Sequence, residues 1–186
     1  PAFKRIVPAL AALVADRDLP VDAFLLPGHV SAVIGAGAYT LLEGVVPGVI
    51  AGFEPVDLLH AILLALRQVA AGESRVQNAY TRAVRPDGNP RAREVMQGLL
   101  EPGEEPWRGL GVIPGGSLVL RPEFRRLDAG AVYDLPPVVD RDPPGCRCAD
   151  VLRGRTEPRG CGLFGSACTP DHPIGPRWPG RFRGNL

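Results

Sequence analysis

Residues 45–72 read Val45-Val46-Pro47-Gly48-Val49-Ile50-Ala51-Gly52-Phe53-Glu54-Pro55-Val56-Asp57-Leu58-Leu59-His60-Ala61-Ile62-Leu63-Leu64-Ala65-Leu66-Arg67-Gln68-Val69-Ala70-Ala71-Gly72. The first part, a short run rich in Val and Ile, predicts a buried strand. Pro55 suits the first turn of a helix, and Gly72 suits its left-handed stop. Between them, Leu58, Leu59, Ile62, Leu63, Leu66 and Val69 predict one apolar stripe packed on a sheet. His60 lies away from that stripe, near Arg67, as a surface histidine.

The preceding sequence has the same grammar. Ile6, Leu10, Leu13 and Val14 recur at helical spacing within residues 5–18, and Asp16-Arg17-Asp18 ends that helix before Pro20. Residues 21–26, Val21-Asp22-Ala23-Phe24-Leu25-Leu26, predict a second buried strand, broken by Pro27-Gly28-His29. A helix is expected from about Val30 to Glu43. Strand and helix alternating in this way predict an α/β fold with a parallel, Rossmann-like sheet. Residues 21–26 and 46–52 are then neighbouring parallel strands, and 55–71 is the helix that covers them.

In such sheets ligands bind beyond the carboxyl ends of the strands. His29 and Glu54 fall there and are the cleft candidates. The plainer roles are a loop histidine capping the next helix for His29, and for Glu54 a helix-start carboxylate facing the dipole.

Further along, residues 75–89 fit either helix or strand. Pro90 to Leu100 predicts a helix ended by Pro102-Gly103. The apolar runs from Trp107 to Leu120, around Pro114-Gly115-Gly116, predict one or two strands, and Pro122 to Leu127 a short helix. Pro136-Pro137 and Pro143-Pro144 mark a linker. The expected division is an α/β domain over residues 1–137, incomplete at its N-terminus, and a cysteine-rich domain over residues 138–186.

Composition narrows the function. The chain has 186 residues, 45% of them apolar, and a net charge of +1. That is enough for one good core plus an appendage, and it excludes a disordered chain. It supplies no bulk electrostatic reason to expect nucleic acid or an anionic membrane. No apolar run is long enough to span a bilayer, and the N-terminus lacks a signal-peptide layout, so the expected compartment is the cytoplasm. The chain opens on Pro1-Ala2-Phe3-Lys4 without methionine, as if inside a domain. Gly35-Ala36-Gly37 begins like a nucleotide loop, but the third glycine is absent. No P-loop, G-x-S-x-G elbow or H-E-x-x-H occurs.

All four cysteines lie together, as Cys146-Arg147-Cys148, then Cys161, then Cys168. Disulfides, zinc and an iron–sulfur cluster each gather sulfurs in this manner. In the cytosol, metal ligation is the more common use. The window is rich in Gly, Pro and Arg and poor in apolar side chains, so a metal centre would supply folding energy. Arg147, Arg153, Arg155 and Arg159 would offset thiolate charge, or form a solvated basic face. His172, close to Cys168, is flanked by Pro170 and Pro173 and reads as a turn residue.

Several stretches in order resemble the HypD family of [NiFe]-hydrogenase maturation proteins. They are Pro27-Gly28-His29-Val30-Ser31, Gly52-Phe53-Glu54-Pro55, Asn78 with Tyr80 and Arg82, Gly88-Asn89-Pro90-Arg91-Ala92, and Trp107-Arg108-Gly109-Leu110-Gly111. Gly145-Cys146-Arg147-Cys148 with Val151-Leu152-Arg153-Gly154, and Phe164-Gly165 with Cys168-Thr169-Pro170, continue the match to about Pro176. Gln77 and Ala79 depart from the family's usual Glu and Gln.

The resemblance implies a scaffold for assembly of the Fe(CN)2CO group. It implies a HypC-type chaperone and a HypE-type cyanide donor as partners, and neither nucleic acid nor a membrane. It also implies two α/β domains followed by a [4Fe-4S] domain, with the cluster giving redox support. On that pattern the chain looks like the later part, without the first domain and its iron-handling thiols. Cys146, Cys161 and Cys168 match the first three cluster ligands. The fourth position falls on Asn185, in an ending that departs from the family after Pro176, as an out-of-frame tail would. Cys148 is a substitute ligand or a structural thiol. The expected cofactors are therefore iron and a [4Fe-4S] cluster, complete or not. The competing readings are a zinc-stapled interaction domain using all four cysteines, and an inactive remnant.

Overall fold

The computed structural model describes residues 3–16, 18, 20–107, 110–133, 143–169 and 171–174. Among the described residues the architecture is mixed α/β with two small sheets. A parallel sheet carries β2 (Phe24–Pro27), β3 (Gly48–Ala51) and β4 (Val76–Asn78) in the order β2-β3-β4. An antiparallel sheet carries β1 (Phe3–Lys4), β6 (Ser117–Leu120) and β5 (Leu100–Gly103) in the order β1-β6-β5.

Strands β2 and β3 pair in parallel, Leu25 opposite Val49 and Leu26 opposite Ile50, as the sequence predicts. Side chains alternate between the faces of a strand. One face, with Leu26 and Ile50, packs against Leu10 of α1 (Ile6–Val14) and against Tyr39 and Leu42. The other face, with Val49 and Ala51, meets α3 (Pro55–Ala71). Helix α3 starts at Pro55 and stops at Gly72, whose φ of 65° is left-handed.

Three expectations need correction. First, α3 does not turn its leucine stripe to the sheet. Its buried residues are Ala61, Ala65 and Gln68, while Leu58, Leu59, Ile62, Leu63, Leu66 and Val69 stay exposed. Small side chains let the helix approach Val49 and Ala51 closely. Gln68 is held at the sheet by polar contacts, donating to Gln77 Oε1 at 2.9 Å and accepting from the Arg75 N–H at 2.8 Å.

Second, the helix expected from Val30 to Glu43 is two elements. α2 (Gly28–Ile34) ends at Gly35, and a 3-10 turn follows over Ala36–Leu42. Gly35 has φ 89°, and a Cβ there would lie 2.3 Å from the Pro86 carbonyl oxygen. The strap at residues 85–89 occupies that space and takes the backbone bonds: Ala36 donates to Arg85 O, Gly37 to Pro86 O, and Asn89 to Val33 O.

Third, α4 (Pro90–Leu99) runs straight into β5, so Pro102-Gly103 is strand and not a helix stop. Asn89 caps α4 by accepting from the Ala92 N–H at 3.0 Å. The short helix expected over Pro122 to Leu127 is present as a 3-10 helix with those bounds, followed by the short α-helix α5 (Ala129–Val132). Residues 75–89, left open by the sequence, form β4 and turns.

The expected linker at Pro136-Pro137 and the boundary after residue 137 lie outside the described residues. The cysteine segment beyond it contains α6 (Cys148–Leu152) and a 3-10 turn at Pro158–Gly160. Arg155 ties it back to the region after α1 through Asp16, at 3.1 Å. No described helix is long and apolar enough to cross a membrane.

Candidate functional site

Three loops meet at the carboxyl end of the parallel sheet. β2 delivers Gly28 and His29, β3 delivers Gly52, Phe53 and Glu54, and β4 delivers Asn78 and Tyr80. The Tyr80 ring lies against both glycines: a Cβ on Gly28 would be 2.7 Å from Cδ1, and one on Gly52 would be 2.9 Å from Cδ2. Glycine is required on both sides because any side chain would enter the ring. Asn78 sets the turn, accepting from the Tyr80 N–H at 3.0 Å and donating to the Val84 carbonyl at 2.9 Å.

His29 is exposed, and its ring centre is 4.5 Å from Phe53 and 6.4 Å from Tyr80. Arg82 lies over the Tyr80 ring, its guanidinium carbon 4.4 Å from the ring centroid. Its guanidinium donates to both oxygens of Asp57, at 2.7 and 2.5 Å. Glu54 stands 3.8 Å from the same guanidinium. The hydrogen bonds and charge of Arg82 hold the Asp57 carboxyl below its ordinary range, and Asp57 raises Arg82 in turn.

The structure therefore brings His29 and Glu54 to the same sheet end, joined through Phe53, Tyr80 and Arg82. A histidine, two carboxylates and an arginine on an aromatic floor can bind a small polar group and exchange a proton with it. Asp57 was not among the residues singled out from sequence. Its partner is 25 positions away, and no local spacing announces that pair. The available signal was a glycine at the carboxyl end of each of two predicted strands, Gly28 two residues past the first and Gly52 closing the second.

The cysteine segment is a second candidate. None of the four cysteines is in a disulfide, and each is half-buried. The loop at Gly145 meets the turn at Cys161: Cys161 Sγ is 3.8 Å from the Gly145 carbonyl, and Arg147 donates to the Gly160 carbonyl at 3.4 Å. Backbone N–H groups and the Arg147 charge lower the Cys161 pKa, as suits a metal ligand. Cys168 closes its own loop through the Leu163 carbonyl, and its sulfur accepts from the Ile174 N–H at 3.3 Å.

The donor chemistry fits a thiolate-bound centre, but the arrangement does not close around one. Among the described residues, no three Cys, His, Asp or Glu side chains gather as a metal-holding group. Asn185 lies outside the described residues.

Fold and site together define a mixed α/β protein with a polar-aromatic cluster at its parallel strand ends and a cysteine-bearing segment. The family model of HypD, described as the hydrogenase formation hypA family, matches residues 1–178. The chain belongs to the HypD family. It is 39% identical over 173 residues to a putative hydrogenase expression/formation protein of Methanocaldococcus jannaschii, covering 92% of this chain and 48% of that protein. It is 40% identical over 173 residues to the hydrogenase maturation factor HypD of Escherichia coli, covering 91% and 46%. With the HypD of Cupriavidus necator it shares 43% over 161 residues, covering 84% and 42%. The chain spans about half the length of the curated relatives it matches.

Proposed function

We propose that this sequence serves [NiFe]-hydrogenase maturation as the later part of a HypD-type scaffold. On this reading it acts in assembly of the Fe(CN)2CO group, with a HypC-type chaperone and a HypE-type cyanide donor, in the cytoplasm. The observation that carries it is the family match over residues 1–178. The strand-end cluster supports it, because two of the glycines that make room for Tyr80 belong to stretches that carry the resemblance. In the proposal His29 and Glu54 face the cleft where the bound group is handled, and Arg82 orients both carboxylates.

The cysteine segment, taken as a domain from about residue 138, takes up an iron–sulfur cluster in this reading. Cys146, Cys161 and Cys168 are the proposed ligands, and Cys148 is the reserve. The cluster would supply electron transfer. The lowering of the Cys161 pKa by backbone N–H groups supports the choice of that residue, and Arg147 would offset negative charge beside it. Closing the site then requires the segment to rearrange when metal enters, as metal-coupled folding does elsewhere.

The test is anaerobic reconstitution with iron and sulfide on this chain, on Cys161→Ser, and on Asn185→Cys carrying a family-type tail. Visible absorbance and metal content are read. Iron with sulfide in this chain, lost in Cys161→Ser and raised in the Asn185→Cys variant, supports the proposal. Stoichiometric zinc without a chromophore would favour the zinc-stapled reading. No bound metal in any of the three would overturn the cluster assignment.

A further inference from the structure

A cleft of about 220 Å³ lies where three parts of the chain meet: α1 with its exit, the loop at residues 110–114, and the turn after α6. Its walls are aliphatic. Leu13 of α1 faces it, with the small Ala9 and Ala12 beside, and Leu110, Val112 and Ile113 come from the loop. Its charged lining residues are Asp16, Arg153 and Arg155. The arginines of the cysteine segment therefore divide. Arg147 acts on Cys161, whereas Arg153 and Arg155 line this cleft.

The three charges are not equally occupied. Asp16 is used twice: Oδ2 accepts from Arg155 at 3.1 Å, and Oδ1 accepts from the Asp18 N–H at 3.1 Å. The Arg153 guanidinium has no hydrogen bond or ion pair with any described residue, although Arg153 is half-buried. Arginine is seldom withdrawn from water without a partner. A partly covered polar group that lacks one calls for an outside ligand. Two guanidiniums against one carboxylate leave the cleft with one positive charge.

We infer that this cleft binds a small aliphatic monocarboxylate, its carboxylate held by Arg153 and its hydrocarbon laid on Leu13, Val112 and Ile113. The charge balance selects a monoanion. The guanidinium fork matches a carboxylate with two parallel N–H···O bonds. Inorganic phosphate would bring more charge and nothing apolar for the walls. At about 30 Å³ for a water-sized group, the cleft holds on the order of seven heavy atoms, a carboxylate with about four further carbons. Such a ligand would touch both α1 and the end of α6, where Arg153 is the C-cap. The half-exposed pair of Arg155 with Asp16 contributes little to that junction by itself. The inference rests on the lining of this cleft and is independent of metal chemistry.

The test is an NMR titration of the isotope-labelled chain with 3-methylbutanoate, read at the Arg153 side-chain N–H and at the backbone of Leu13, Val112 and Ile113. Acetate, 3-methylbutanamide and inorganic phosphate are the comparison probes. Saturable shifts on both sides of the cleft are expected with 3-methylbutanoate, in the millimolar range or below. Acetate, lacking the hydrocarbon, should bind several-fold more weakly, and the amide and phosphate should not saturate. Arg153→Gln should weaken binding about tenfold or more. Arg153 is half-buried, so Val112→Glu is made as well. Val112 is 60% exposed, and a carboxylate there opposes the ligand without entering the core. It too should weaken binding about tenfold. No saturation by 3-methylbutanoate, equal affinity for the amide or for phosphate, or unchanged binding in Val112→Glu overturns the inference.

Discussion

Arg82 grips Asp57 through both carboxylate oxygens, Nη1 to Oδ1 at 2.7 Å and Nη2 to Oδ2 at 2.5 Å. The arginine is half exposed, but Asp57 is nearly covered, with 12% of its side chain accessible. The pair joins the first turn of α3 to the loop after β4 and carries the Tyr80 ring between them. Paired forks of this kind are stronger and more directional than single-point contacts.

Asp57→Asn should therefore lower the urea midpoint at neutral pH, and Arg82→Lys should do the same, because lysine cannot reproduce the fork. The sign with pH follows from the lowered Asp57 pKa. A carboxyl depressed in the folded state stabilises above its unfolded pKa, and that contribution is lost as pH falls through the folded value. Urea titrations from neutral pH down through the carboxylate range should show a steeper acid loss in the unmodified chain than in Asp57→Asn. Parallel curves would show that the pair contributes nothing.

Gly28→Ala and Gly52→Ala should both displace Tyr80. The new methyl at Gly28 would lie 2.2 Å from the Ala51 carbonyl oxygen, which is backbone of β3 and cannot move. At Gly52 it would lie 2.0 Å from Asp57 Oδ2, the end of a side chain. Overpacking of this type costs about 1–3 kcal/mol, sometimes more, and Gly28→Ala should be the worse. The Gly52→Ala penalty should shrink in an Asp57→Asn/Arg82→Ala background, where residue 57 is free to turn. Thermal melts, with tyrosine near-UV CD reporting the ring, check both points.

The orientation of α3 has its own test. Ala65→Leu should cost about 1–3 kcal/mol by forcing the helix off Val49 and Ala51. Gln68→Ala should cost a similar amount, about 1–3 kcal/mol, because it strips a partner from the Arg75 N–H and from Gln77. Leu63→Gln, on the exposed face, should stay within about 0.5 kcal/mol in this chain. The reverse ranking would return the leucine stripe to the sheet.

Cys161 should alkylate at lower pH in the metal-free folded chain than in the same chain unfolded in urea, because the thiolate is the reactive species. Its N–H contacts and Arg147 exist only in the folded segment. Arg147→Ala should move the folded profile partway toward the unfolded one. Site-resolved mass spectrometry against pH measures this, and coincident folded and unfolded profiles would contradict it.

Sequence alone located β2, β3 and both ends of α3. Those elements are written locally, in short Val/Ile/Leu runs, a proline at a helix start and a glycine at its stop. It also placed His29 and Glu54 at one sheet end, since parallel pairing and strand direction dictate that position. The family was legible in the order of several short stretches, none of them decisive alone.

Tertiary structure decided the rest. α3 is apolar over so much of its surface that periodicity cannot choose the arc facing inward. Close packing chose Ala61 and Ala65, because only small side chains let helix and sheet approach over Val49 and Ala51. The break at Gly35 depends on the strap near Pro86, some fifty residues further along. The Asp57–Arg82 pair joins the first turn of α3 to the loop after β4, 25 positions apart. The cysteines share a window in sequence, but bringing sulfurs together is a property of backbone path, which spacing constrains without determining.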